Sequence, residues 1–118
     1  MRTLRNSRKF KIYKQARREL TTRFPQAFPR SGKRPALKVG ILDDIRRSGD
    51  IGISMTHCRR FLSIWTSSTA YLVNMTTGKP RVGLDGGQHG CVSDGHDREA
   101  RATLIRRKSA SRRTSPSN

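Results

Sequence analysis

Apolar residues recur at three- and four-residue steps through Phe10, Tyr13, Ala16, Leu20 and Phe24, a single stripe of a helix beginning at about Arg8. Pro25 ends that helix at Arg23 or Phe24, because proline has no N–H to donate and restricts the residue before it. Residues 25–35 carry three prolines and Gly32 and read as a loop, pinned to the core by Phe24 and Phe28. The pattern turns apolar again over residues 36–45 and becomes a short helix to about Arg47. A turn follows at Ser48-Gly49-Asp50, and Ile51 and Ile53 then alternate. Ser54 reads as an N-cap for a helix from residue 55 to about 65, with Cys58, Phe61, Leu62 and Trp65 on its apolar face. Arg59, Arg60 and Ser63 fall on or near the other side.

Three hydroxyl residues, Thr66, Ser67 and Ser68, interrupt the apolar pattern before it resumes at Ala70-Tyr71-Leu72. Any of the three can cap a short helix over residues 69–73. A helix start with free N–H groups and small hydroxyls also suits a phosphate, with the Tyr71 ring within one turn. An ordinary cap beside a core tyrosine and an anion site both fit these residues. Residues 74–84 read as a hairpin bent at Thr76-Thr77-Gly78-Lys79, with Arg81-Val82-Gly83-Leu84 returning and Asp85-Gly86-Gly87 closing it. Ser93 caps a last helix, with Asp94 and Asp97 in its first turn and Arg106, Arg107 and Lys108 in its last. That is the favourable charge order along a helix dipole.

Composition divides the chain further. Of 118 residues 32% are hydrophobic, and the formal net charge is +18, too little apolar surface for the whole length to pack. Residues 1–35 hold 12 Lys/Arg against a single acid, residues 36–92 hold 7 against 4, and residues 93–118 hold 7 against 3. The expectation is a basic flexible arm (1–8), one domain (9–108) and a disordered basic tail (109–118). A polyanion is the default partner of such a chain, and nucleic acid the commonest. With no membrane-spanning run, no signal pattern and two cysteines, a cytoplasmic monomer with reduced thiols is expected.

Catalytic and metal chemistry find little support. His57, Cys58, His89, Cys91 and His96 lack a zinc spacing, so no cofactor is indicated. Adjacent Asp43 and Asp44 diverge on a helix, nothing orients a histidine toward a cysteine, and Asp85-Gly86-Gly87 is not a phosphate loop. No enzyme is expected. What remains is a basic, modestly aromatic surface of Lys38, Arg59, Arg60, Tyr71 and Arg81, a combination that suits unpaired bases and backbone. Lys38 either snorkels from its apolar surroundings or sits at a pocket edge. Lys11, Lys14 and Arg18 form a second basic face on the first helix, flanked by Lys9 and Arg17. A helix-turn-helix over 40–48 and 54–65 fits poorly, because two isoleucines at strand spacing occupy its turn.

These residues carry a resemblance. Phe24-Pro25 with Phe28, Pro35-Ala36-Leu37-Lys38-Val39-Gly40-Ile41, Ser54, Arg59, Leu62, Trp65-Thr66-Ser67-Ser68, Tyr71-Leu72 and Arg81-Val82-Gly83-Leu84-Asp85-Gly86 together resemble the ProQ/FinO domain of bacterial RNA-binding proteins, over about residues 13–108. The resemblance implies an α+β, mostly helical domain of about five helices with a small β-hairpin. It implies an RNA chaperone that binds hairpins with single-stranded 3′ tails in small or antisense RNAs and promotes their pairing or protects them, conjugation control (fertility inhibition) included. Lys38, Arg59, Tyr71 and Arg81 would bear on the RNA, and Thr66, Ser67 and Ser68 would receive the 3′-terminal phosphate and sugar. Lys9, Lys11, Lys14, Arg17, Arg18 and Arg60 would lend peripheral contacts. Met55, Ser63 and Thr69 stand where relatives often carry Lys, Arg and an aromatic residue, and Gly83 where an acid is frequent. The alternative is a general basic protein associated with DNA or ribosomes.

Overall fold

The computed structural model describes residues 2–49 and 51–114; Met1, Asp50 of the expected turn and the last four tail residues lie outside them. The order is α1 (Arg2–Arg23), β1 (Ala36–Leu37), α2 (Ile41–Arg47), α3 (Met55–Thr66), α4 (Thr69–Leu72), β2 (Pro80–Val82), β3 (Gln88–Cys91) and α5 (Asp94–Thr114). The mostly helical α+β architecture matches the expectation. The two long helices overrun it: α1 starts at Arg2 and α5 continues to Thr114. Neither extension meets a glycine or proline, and each added residue gains a helical hydrogen bond once the helix exists.

Side-chain oxygens start α3, α4 and α5. Ser54 Oγ accepts from His57 N at 3.1 Å, Ser68 Oγ from Tyr71 N at 3.2 Å, and Ser93 Oγ from His96 N at 3.2 Å. Helix α2 starts differently, from Gly40 at φ 85°, a left-handed conformation that glycine enters without steric penalty.

The core joins Ala16 and Leu20 of α1 to Cys58, Phe61 and Trp65 of α3, with Phe28 from the connecting loop. Phe61 stacks on Tyr13 (centroids 5.3 Å) and tilts against Trp65 (5.3 Å), while Phe28 meets both Phe61 and Trp65 edge-on at 5.6 Å. Phe10 does not join them. It lies a turn before Tyr13, where the core ends, and is 60% exposed with Lys14 Nζ 5.3 Å from its ring centre.

The sheet corrects the expected hairpin. Its order is β1-β2-β3: β1 pairs parallel with β2 (Ala36 with Arg81, Leu37 with Val82) and β2 antiparallel with β3 (Pro80 with Cys91, Val82 with Gln88). Residues 83–87 make the bend, with Gly83 N donating to Gly87 O at 2.9 Å, and Arg81 stands on the outgoing strand. The segment before it is held elsewhere: Asn74 Nδ2 donates to Arg34 O, and Thr77 donates to Asp97 through both N and Oγ1.

Asp97 therefore ties the 74–79 segment to α5. It accepts from Thr77 N and Oγ1 at 2.8 Å and from Arg101 Nε at 2.7 Å. Those donors, the Thr77 backbone first, hold its carboxyl below the ordinary value of 3.8. With the native pKa depressed, the unfolded chain takes up the proton first. The stabilisation is complete above the unfolded value and is lost as pH falls through the native one. Asp97→Asn is expected to lower the melting temperature at neutral pH and flatten the acid limb of its pH profile. Identical acid limbs in parent and variant would contradict this.

Candidate functional site

Strand β1 is two residues long and has a strand partner on one side only. Its outward N–H and C=O need other partners, since buried backbone groups are costly to leave unpaired. Leu37 N donates to the Tyr71 hydroxyl at 3.0 Å, and Leu37 O accepts from Arg81 Nη1 at 2.8 Å. Arg81 Nη2 lies 2.8 Å from His96 Nδ1. Arginine can only donate, so Nδ1 accepts and the ring proton sits on Nε2. Two residues singled out from the sequence thus secure the edge of β1, and both are buried, Tyr71 at 4% and Arg81 at 7% exposure.

The same residues wall a cleft of about 400 Å³ between α4, β2 and α5. Thr66, Tyr71 and Arg81 converge in it, with Val39, Leu72 and Met75 as apolar wall and His96, Glu99, Ala100 and Thr103 from α5. Arg107 Nη1 reaches toward Thr69 Oγ1 at 3.5 Å beside it.

The three hydroxyls are not equivalent. Thr66 Oγ1 donates to Leu62 O (2.8 Å), Ser67 Oγ to Ile64 O (3.2 Å) and Ser68 Oγ to Trp65 O (2.7 Å). Ser68 is the cap, and it also accepts from Tyr71 N and from Arg34 Nη1 at 3.0 Å, which fills its hydrogen-bonding capacity. Thr66 and Ser67 keep lone pairs while their protons point back into α3. This arrangement accepts from a hydroxyl donor; it offers no proton to a phosphate oxygen, which can only accept.

The remaining residues read from the sequence lie outside this cleft. Lys38 Nζ pairs with Asp44 Oδ2 at 2.8 Å, a bond that holds the Asp44 carboxyl below its ordinary value, so the lysine's charge is answered within the chain. Arg59 and Arg60 are exposed on α3 and form no ion pair among the described residues. Arg59→Gln should change folding stability by less than about 0.5 kcal/mol while weakening binding of a polyanion, checked by thermal melting beside an RNA titration. Lys9 and Lys11 are exposed on α1, and Lys14, Arg17 and Arg18 line a separate cleft with Thr21 and Arg30. Cys58 is buried, which pushes its thiol up, and Cys91 is exposed. Among the described residues no three His, Cys, Asp or Glu side chains gather as metal ligands, and no helix is long and apolar enough to cross a membrane.

Sequence reasoning passed over Arg34, His96 and Arg107. Arg34 shares its loop with Arg30 and Lys33, but nothing local shows its guanidinium 3.7 Å over the Trp65 ring or bonded to Ser68. His96 was weighed as a metal ligand or a base; it is exposed near the start of α5, and only the packed fold brings its Nδ1 to Arg81.

Comparison with known proteins agrees with this architecture. An NMR solution structure of a ProQ homolog from Legionella pneumophila superposes with a TM-score of 0.65 at 28% identity, covering 80% of this chain and 81% of that one. The model of the ProQ/FinO family matches residues 10–116. With nearly the whole chain inside that match and the fold shared, the protein belongs to the ProQ/FinO family of RNA-binding proteins.

Proposed function

We propose that the protein binds structured RNA ending in a single-stranded 3′ tail, without catalysing a reaction, and that it protects such RNAs or helps complementary ones to pair. Small and antisense RNAs with terminator-type hairpins have this form. The observation that carries the reading is the cleft between α4, β2 and α5, whose volume falls in the range of ligand pockets and suits one nucleotide. Tyr71, Val39 and Leu72 offer an apolar wall to a base, and Arg81 and Arg107 supply positive charge. Thr66 presents a lone pair to a ribose hydroxyl in the cleft; Ser67, exposed next to it, lies outside the lining. A chain ending in a free sugar can satisfy all three at once.

The test is a titration of one hairpin in three forms: 3′-hydroxyl, 3′-phosphate and circularised. Affinity should fall at least about tenfold for both altered forms, the equivalent of ~1.4 kcal/mol. Equal affinity for all three would refute the reading and leave general polyanion binding in its place. The rate at which two complementary RNAs pair, with and without the protein, distinguishes pairing from protection.

A further inference from the structure

The second cleft has no part in the 3′-end reading. Lys14, Arg17, Arg18 and Thr21 occupy positions i, i+3, i+4 and i+7 of α1, one face spanning about 10 Å at the helical rise. Arg30, from the loop after α1, closes the other side of a space of about 480 Å³. The loop is held in place there: Arg17 Nη2 donates to Arg30 O at 3.2 Å, and Arg30 Nη2 reaches Thr22 Oγ1 at 3.5 Å. Among the described residues four cations line this cleft and no carboxylate does. The acid nearest in sequence, Glu19, turns to Arg23 at 3.5 Å instead. The cations repel one another until an anion arrives, and most guanidinium N–H groups remain available for the bidentate contacts that phosphate favours.

We infer that this cleft is a second RNA contact, binding backbone phosphodiesters irrespective of sequence and independently of the 3′-end cleft. It rests on RNA being the partner, as proposed above, but not on the grip on the 3′ terminus. Phosphodiesters follow one another along a strand, and a cationic row about 10 Å long can meet two of them. The cleft would hold the body of an RNA while the other site holds its end.

The probe is the double variant Lys14→Gln/Arg18→Gln, titrated against the tailed hairpin and its circularised form over a range of salt. Among the described residues neither head group forms a hydrogen bond or ion pair, Lys14 only approaching the exposed Phe10 ring, and glutamine suits a helix, so a nearly unchanged melting temperature is expected as the control. Each lost phosphate contact removes about 0.7 to 0.9 from the slope of log affinity against log salt, so the slope should fall by about 1.4 to 1.8, equally on both RNAs. An unchanged slope overturns the inference. So does a loss confined to the tailed hairpin, which would mean that these residues serve the 3′-end cleft. Polyglutamate bound as tightly as RNA, with the same sensitivity to the variant, would also overturn it. The 3′-end reading is judged separately, by whether the parent protein prefers the tailed form.

Discussion

Tyr71→Ala is expected to lower folding stability by roughly 3–5 kcal/mol, whereas Tyr71→Phe should lower it by about 1–3 kcal/mol. The difference follows from the two things this side chain does. Its ring is part of the core, and its hydroxyl is the acceptor for Leu37 N on the open edge of β1. Alanine leaves a cavity as well as an orphaned N–H; phenylalanine leaves only the orphan. Domains of this size are stable by roughly 5–15 kcal/mol in total, so the alanine variant would be largely unfolded on warming. Urea denaturation measures both changes, and an alanine variant within about 0.5 kcal/mol of the parent would show that β1 does not depend on the hydroxyl. An RNA titration of the alanine variant would report loss of fold as much as loss of contact. Tyr71→Phe is the informative change, because it keeps the ring that walls the cleft.

Arg34→Ala is the second large effect. The Arg34 guanidinium covers the Trp65 ring at 3.7 Å, and its Nη1 donates to the cap oxygen of Ser68. A cation over an indole contributes about 0.5–2 kcal/mol and a charge-assisted hydrogen bond about 1.5–3 kcal/mol, so the loss should reach about 2–5 kcal/mol. Trp65 is the chain's single tryptophan, and its emission reports the change directly. With Arg34 gone, water reaches a ring that is fully buried in the parent, and the emission should shift to longer wavelength. Arg34→Lys keeps a charge but lacks the planar fork, and should recover only part of the stability. An unmoved emission maximum in Arg34→Ala would mean that other groups shield the indole. Because Ser68 starts α4, the alanine variant should also loosen the Thr66–Tyr71 wall of the cleft and weaken binding of the tailed hairpin.

Much of the helical part was legible in the residues. The stripe through Tyr13, Ala16, Leu20 and Phe24, the caps at Ser54 and Ser93, and the apolar face of α3 each depend on neighbours within about two turns. Ser68 could be narrowed to one of three hydroxyls, because its choice as cap depends partly on Arg34, which lies 34 residues away. The hairpin was placed one segment early. Gly78 and Gly86 both adopt positive φ and both make good turns, so turn chemistry alone does not choose between them. Pairing between β1 and β2, and the Thr77–Asp97 bonds, made the choice.

What the sequence by itself determined is the set of helices, their caps, the excess of positive charge on α1 and, through its motifs, the family. These follow from spacing, composition and interactions between near neighbours. The tertiary structure alone decided what the site residues do. It brought Tyr71 and Arg81 onto the edge of β1 across 34 and 44 residues, set His96 against Arg81, and paired Lys38 with Asp44. It also gathered Lys14, Arg17, Arg18 and Arg30 around one cleft. Hydrogen bonds reach about 3 Å, so which groups meet across such separations is settled only when the helices and strands have packed.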